Sequence, residues 1–190
     1  EMGTGNKPID GGNYLFTPEE KIAFLELEPN AKKYLHRWLG GEEFINNIER
    51  WCLWLGDCAP DELRRMPEAM KRIEAVRKFR VSSKSATQKL ANTPTRFHTE
   101  FVPQAPFLAM PQVSSERRAF IPVAFLTPEY FCGDKLRVIE NATPYHFGLL
   151  NSTMHMAWAR YVTGRLKSDY QYSALIVYNN FPWPEIPSSP

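Results

Sequence analysis

Apolar positions along the chain recur at two different periods, and the changes of period mark the elements. Thr17-Pro18-Glu19-Glu20 predicts a helix start: a capping threonine, a proline at the first helical position, and Glu20 completing a capping box. That helix is expected to end near Pro29. Tyr34, Leu35, Trp38 and Leu39 then fall on one side of a second helix from about Asn30, stopped by Gly40-Gly41. Arg50-Trp-Cys-Leu-Trp-Leu55 is short, apolar and aromatic, which predicts a buried strand. Leu63, Met66, Met70, Ile73 and Phe79 return to helical spacing, so this stretch is expected to be an amphipathic helix with its charges outward. From Ser82 to Thr95 the pattern dissolves into polar residues and a proline, which predicts a loop.

The second half changes rhythm. Phe107–Val113 and Ala119–Leu126 predict two strands, which Pro111 and Pro122 should confine to edges or bulges. Leu136–Ile139 predicts a third. Thr143-Pro144 opens what reads as the longest helix, with Phe147, Leu150, Met154, Trp158 and Tyr161 on one stripe and Gly164 at its end. Tyr172–Tyr178 predicts a further strand, and Phe181-Pro-Trp-Pro184 a stiff aromatic tail that locks the C-terminus. Helices lead, strands follow, and no βαβ rhythm is present. The expected class is α+β: a helical N-terminal part packed on a small, irregular, mostly antiparallel sheet, with a long helix in the C-terminal half.

Composition narrows the possibilities. Hydrophobic residues make up 43% of the 190, with 12 Phe, 8 Tyr and 5 Trp, enough to bury a core without disulfides or metal. No apolar run approaches the roughly 18–20 residues that span a bilayer. Glu1 to Asn13 is Gly-rich and polar, unlike a signal peptide, and the abrupt start suggests a fragment of a longer chain. The expected location is a reducing cytoplasm, with Cys52, Cys58 and Cys132 as buried thiols rather than zinc ligands. The sequons at Asn141 and Asn151 are read as chance. Net charge is only +2, but Asp61 to Arg96 carries ten Lys/Arg against four acids. That excess suits a phosphate backbone, with a solvated helix face as the alternative.

Catalytic patterns are absent: no GxGxxG, GxxxxGK or GxSxG occurs, and His36, His98, His146 and His155 are scattered. His155, between two methionines, is expected to pack in the core. Asn179-Asn180-Phe181-Pro182-Trp183 has its prolines in the wrong place for an adenine-holding methyltransferase loop. Two clusters carry recognition chemistry. Ser114, Ser115, Arg117 and Arg118 combine hydroxyls with guanidinium groups suited to phosphate, with a polar hairpin as the alternative. In Arg165-Leu-Lys-Ser-Asp-Tyr-Gln-Tyr-Ser173, an extended chain would put Lys167, Asp169 and Gln171 on one face. Lysine donates to guanine O6/N7, aspartate accepts from cytosine N4, and glutamine pairs with adenine. A salt bridge in a polar loop is the alternative.

Several segments also resemble a known family. Gly5-Asn-Lys-Pro-Ile-Asp-Gly-Gly12, Arg50–Leu55, Val113-Ser-Ser-Glu-Arg117, Phe147–Trp158, Gly164–Tyr170 and Ile176–Pro184 are similar to the target-recognition region of MmeI-type (type IIL) single-chain restriction–modification enzymes. The resemblance runs nearly end to end. It implies sequence-specific binding of double-stranded DNA, with no active site and no cofactor in this region. The parent's endonuclease and adenine-N6 methyltransferase domains, using S-adenosylmethionine and Mg, would be the partners, and no membrane is involved. It further implies base reading by Lys167, Asp169 and Gln171, and more weakly by Asp134 and Lys135. Backbone contacts are expected from Ser114, Ser115, Arg117, Arg118, Arg165, Lys71, Arg72 and Lys78. Residues 1–60 would then be a helical connector and 61–190 the contacting part. A fragment with residual methyl-transfer capacity and a structural spacer are the competing readings.

Overall fold

The computed structural model describes residues 1–185. In chain order its strands and helices are β1 (Met2–Thr4), β2 (Leu15–Phe16), α1 (Pro18–Leu27), β3 (Leu35–Leu39), α2 (Gly41–Asn46), β4 (Trp51–Leu53), α3 (Pro60–Leu63), α4 (Pro67–Val81) and α5 (Ser85–Gln88). Then follow β5 (Phe107–Pro111), β6 (Val113–Ser114), β7 (Ala124–Leu126), β8 (Tyr130–Cys132), β9 (Leu136–Ile139), α6 (Pro144–Leu150), α7 (Thr153–Val162), β10 (Gly164–Leu166) and β11 (Asp169–Gln171). The strands form three small sheets, ordered β1-β9-β5-β7, β2-β4-β3-β8 and β10-β11-β6. Of these strand pairs only β3 and β8 run parallel. This is an α+β fold. Among the described residues no helix is long and apolar enough to cross a membrane.

The start of α1 forms as its sequence dictates: Thr17 accepts from the Glu20 N–H and the Glu20 carboxylate accepts from the Thr17 N–H. The next segment does not. Pro29–Tyr34 is a 3-10 turn and Leu35–Leu39 is β3, where the apolar spacing predicts a single helix. A helix that short is marginal alone, and β4 and β8 offer this strand a ladder on both sides. Residues 1–60 therefore supply four strands, two of which pair with β8 and β9.

The helix α4 buries Ala69, Ile73 and Val76, with Met66 just before it, against Phe16, Phe24, Trp54 and Phe131. Its charges are not all outward. Arg80 is fully buried, and its guanidinium donates to the carbonyls of Pro8, Ile9, Leu90, Thr93 and Arg96 at 2.8–2.9 Å. Those bonds also explain why Ser82–Thr95 is not a loop. It folds into α5 and a 3-10 turn over Lys89–Asn92, and the arginine gathers carbonyls from that turn and just beyond it.

Pro111 does not put β5 at an edge. All five residues of β5 are buried, and the strand lies between β9 and β7. The ladder tolerates the proline because β7 pairs only with Phe107–Ala109 and leaves Pro111 free on that side. The expected long C-terminal helix is two, broken at Asn151-Ser152. The Asn151 amide bonds back to the Phe147 carbonyl, and Ser152 caps α7 by accepting from the His155 N–H. The longest helix is α4, at 15 residues. The buried face is Leu150, His155, Met156 and Ala159, while Met154 and Tyr161 are exposed. Ala174–Tyr178 is a π-turn, not a strand, with Val177 and Tyr178 buried and Leu175 and Ile176 outward. Phe181 does anchor the tail, in edge contact with His155 and Trp183. Cys52 and Cys132 are buried, and burial pushes both thiols up.

His155 is a core histidine, 2.9 Å from the Tyr172 hydroxyl, and burial lowers its pKa to about 4. A depressed folded-state value means the unfolded chain binds the proton first. The stabilisation is fully present above the unfolded pKa of about 6.5 and is lost as pH falls toward 4, at about 1.4 kcal/mol per pH unit. Urea titrations of wild type and His155→Gln should therefore diverge at pH 7 and converge near pH 4.5. Parallel curves across that window would assign the acid sensitivity elsewhere.

Candidate nucleic-acid interface

The candidate residues of the C-terminal half are brought together by a single backbone residue, Gln112. It sits at the bend between β5 and β6. Its N–H donates to the Lys135 carbonyl at 2.8 Å, and its carbonyl accepts from the Tyr172 N–H at 2.7 Å. Asp134-Lys135, in the turn between β8 and β9, is thereby held beside the end of the β10–β11 hairpin. On the other side of β11, Gln171 pairs with Val113 and Tyr170 with Ser114. The Gln112 side chain is half-buried and has no hydrogen-bond partner among the described residues. Sequence reasoning missed it, because nothing at 111–113 marks where a strand changes sheet.

The hairpin corrects one expectation. Lys167, Asp169 and Gln171 do not lie along one extended strand, because Lys167-Ser168 is the turn itself. Lys167 has φ 58, in the left-handed region that non-glycine residues avoid, so a lysine there carries local strain. Asp169 and Gln171 do alternate with the buried Tyr170 and Tyr172, as strand geometry requires. Cross-strand pairing puts Leu166 opposite Asp169 and Gly164 opposite Gln171, so these four share the outer face with Val113. The inner face carries Arg165, Tyr170 and Ser114. One Asp169 carboxylate oxygen accepts from the Glu116 N–H in a long, exposed bond of 3.3 Å, which links the Ser115–Arg118 turn to the hairpin.

Two expected phosphate contacts turn inward, the Ser114 hydroxyl without a partner among the described residues and the Arg72 guanidinium onto protein groups. Ser114 is 4% exposed, so its hydroxyl is withdrawn from solvent. Arg72 lies 4.0 Å from the Phe16 ring and donates to the Asn13 carbonyl at 2.6 Å, and burial lowers its pKa. It is a packing residue. Lys71 is paired with Glu68 at 2.7 Å, while Lys78 is exposed without an acid partner among the described residues. Several other cations of this segment are paired with acids: Arg64 with Asp61, Arg77 with Glu74, Arg96 with Asp57 and Glu100. Helix α4 also belongs to a different hydrophobic cluster from the one beneath the hairpin.

The edge around Gln112 is different. Arg117, Arg118, Lys135, Arg165 and Lys167 are all exposed, and none has a carboxylate partner among the described residues. Arg165 stands 4.0 Å over the Tyr170 ring and donates to the Ser168 carbonyl, which braces the turn. Ser115 is half-exposed and its hydroxyl accepts from the Arg117 N–H. Exposed cations thus occur on three segments that the Gln112 backbone and Asp169 link together: Lys135 between β8 and β9, Arg117 and Arg118 after β6, and Arg165 and Lys167 in the hairpin. No group of three or more potential metal ligands occurs among the described residues.

The chain has relatives of known character. It is 38% identical over 183 residues to DNA methyltransferase A of Bacillus subtilis (strain 168), covering 96% of this chain and 21% of that protein. It matches a chain of the Type IIL restriction–modification enzyme MmeI, solved in complex with DNA, with a TM-score of 0.93 and 47% identity. That match covers 97% of this chain and 25% of the other. The chain thus spans about a fifth to a quarter of the length of these relatives. The family model described as the MmeI target recognition domain matches residues 1–185, and the chain belongs to that family.

Proposed function

We propose that this chain reads a specific sequence in double-stranded DNA for a larger restriction–modification enzyme that methylates adenine at N6 and cleaves DNA. The observation that carries this reading is the match, along 97% of the chain, to a restriction–modification enzyme solved on DNA. Lys167 donates to a guanine and Asp169 accepts from its paired cytosine, with Gln171 on a neighbouring pair. Asp134, Lys135 and Gln112 face the adjoining bases. Ser115, Arg117, Arg118 and Arg165 hold the phosphates that fix the register, with Lys78 an outlying contact. The chain carries no chemistry of its own in this reading. S-adenosylmethionine and Mg belong to the other domains of a cytoplasmic parent.

Salt dependence tests the placement. Each lost phosphate contact lowers the slope of log K against log salt by about 0.9. In the intact parent, Arg117→Gln with Arg118→Gln should lower it by about 1.8. Lys71→Gln with Lys78→Gln should lower it by about 0.9, from Lys78 alone. An unchanged slope in the arginine pair would show that this edge faces away from DNA.

A further inference from the structure

The outer face of the β10–β11 hairpin carries one residue that neither the fold nor the polar contacts use. Leu166 is 53% exposed and belongs to none of the three hydrophobic clusters. It stands directly opposite Asp169 and shares that face with Gln171. Two positions back along the same face is Gly164. Its φ is not in the positive region, and a Cβ there would meet nothing closer than Gln171 Oε1 at 4.0 Å. Neither backbone conformation nor packing within the chain calls for a glycine. Leu166 therefore rises beside open space, at a place where a ligand surface can come close to the backbone.

We propose that Leu166 makes an apolar contact with the 5-methyl group of a thymine next to the base pair that Asp169 reads. The proposal rests on the DNA-reading function above. Asp169 and Gln171 on β11 separate Leu166 from Val113, the other apolar side chain of this face, so the face presents no continuous apolar surface to a protein. It does suit a major-groove floor, where the methyl of thymine is the one apolar group among hydrogen-bonding edges. Asp169 sets the depth at which the hairpin sits, because its short side chain must reach a base edge. Leu166, directly across the ladder, then reaches a neighbouring base step at the same depth.

The test uses the intact parent enzyme and a duplex containing its site as mapped from the modified motif. Each thymine of the site is replaced in turn by deoxyuridine, which removes only the methyl group. Burying one such group is worth about fourfold in affinity. At one position the wild-type enzyme should bind the deoxyuridine duplex about fourfold more weakly. Leu166→Ala should bind both duplexes alike at that position, and Leu166→Met should keep the discrimination. Thermal melts of both variants check that the fold is intact. A site with no thymine overturns the proposal. So does equal binding of every deoxyuridine duplex while the site is still preferred over a scrambled sequence, or discrimination that survives in Leu166→Ala. Equal binding of site and scrambled duplexes would instead sink the DNA-reading function itself.

Discussion

Replacing Arg80 with alanine should cost about 3–5 kcal/mol of folding stability, a large share of the roughly 5–15 kcal/mol that a domain of this size has. The reason is the number of acceptors it serves. Its guanidinium is fully buried and donates to five backbone carbonyls, those of Pro8 and Ile9 near the start of the chain and of Leu90, Thr93 and Arg96 in its middle. Removing it leaves those carbonyls unpaired in a low-dielectric site and opens a cavity beside α4. Burial lowers the pKa of the guanidinium, and Tyr14 and Asp10 nearby partly offset that. Arg80→Lys should recover only part of the loss, since an ammonium offers three donors where the fork offers five. Urea midpoints of wild type, Arg80→Ala, Arg80→Lys and Arg80→Met decide the matter. A methionine variant as stable as wild type would show that the carbonyls find other partners.

The second large effect is on specificity. In the parent enzyme, Lys167→Glu combined with Asp169→Arg should move preference at one position of the site from G·C to C·G. The acid would then meet cytosine N4 and the guanidinium would meet guanine O6 and N7. A well-made pair of contacts discriminates by about 1–3 kcal/mol, roughly five- to 150-fold. The hairpin makes the two changes unequal. Asp169 is on the ladder and bonded to Glu116, so its replacement also frees the Ser115–Arg118 turn. Lys167 is at the turn with φ 58, and its side chain bonds to nothing among the described residues, so its replacement changes only what faces the ligand. The single Lys167→Glu change should weaken binding without altering the melting temperature, whereas Asp169→Arg alone should lower both. Sequencing the modified motif of the double variant reads the outcome. An unchanged motif, or one blurred at every position alike, would remove this pair from the reading surface.

Elements whose signals are self-contained were legible from the order of residues. The Thr17–Glu20 box starts α1, Leu136–Ile139 is a strand, and helical spacing marks α4, although of the apolar stripe that predicted it Met70 and Phe79 are exposed while Ala69, Ile73 and Val76 are buried. The class of the fold was legible too, and long motifs pointed to the family to which the chain belongs. Segments whose conformation depends on a distant partner were not. Leu35–Leu39 carries helical spacing yet is a strand, because β4 and β8 flank it. Residues 85–92 coil into two short helical turns packed on α4, and Arg80 bonds to the Leu90 carbonyl among them.

The candidate site divides along the same line. Residue types at 165–171 and 114–118 were legible as recognition chemistry, because charged and amide side chains beside aromatic ones are visible in any one sequence. Their arrangement was not. Whether Lys167 continues a strand or turns a corner is decided by β10 folding back on β11, which places the turn at Lys167-Ser168. Whether Ser114 and Arg72 face solvent is decided by what they pack against, and both turn inward. Gln112 becomes a candidate only because its N–H and carbonyl bond to two segments far apart in sequence. Local propensity and periodicity are properties of neighbouring residues and can be read in order. Burial and register depend on which distant segments meet, and that is fixed by the free energy of the whole chain rather than by any window of it.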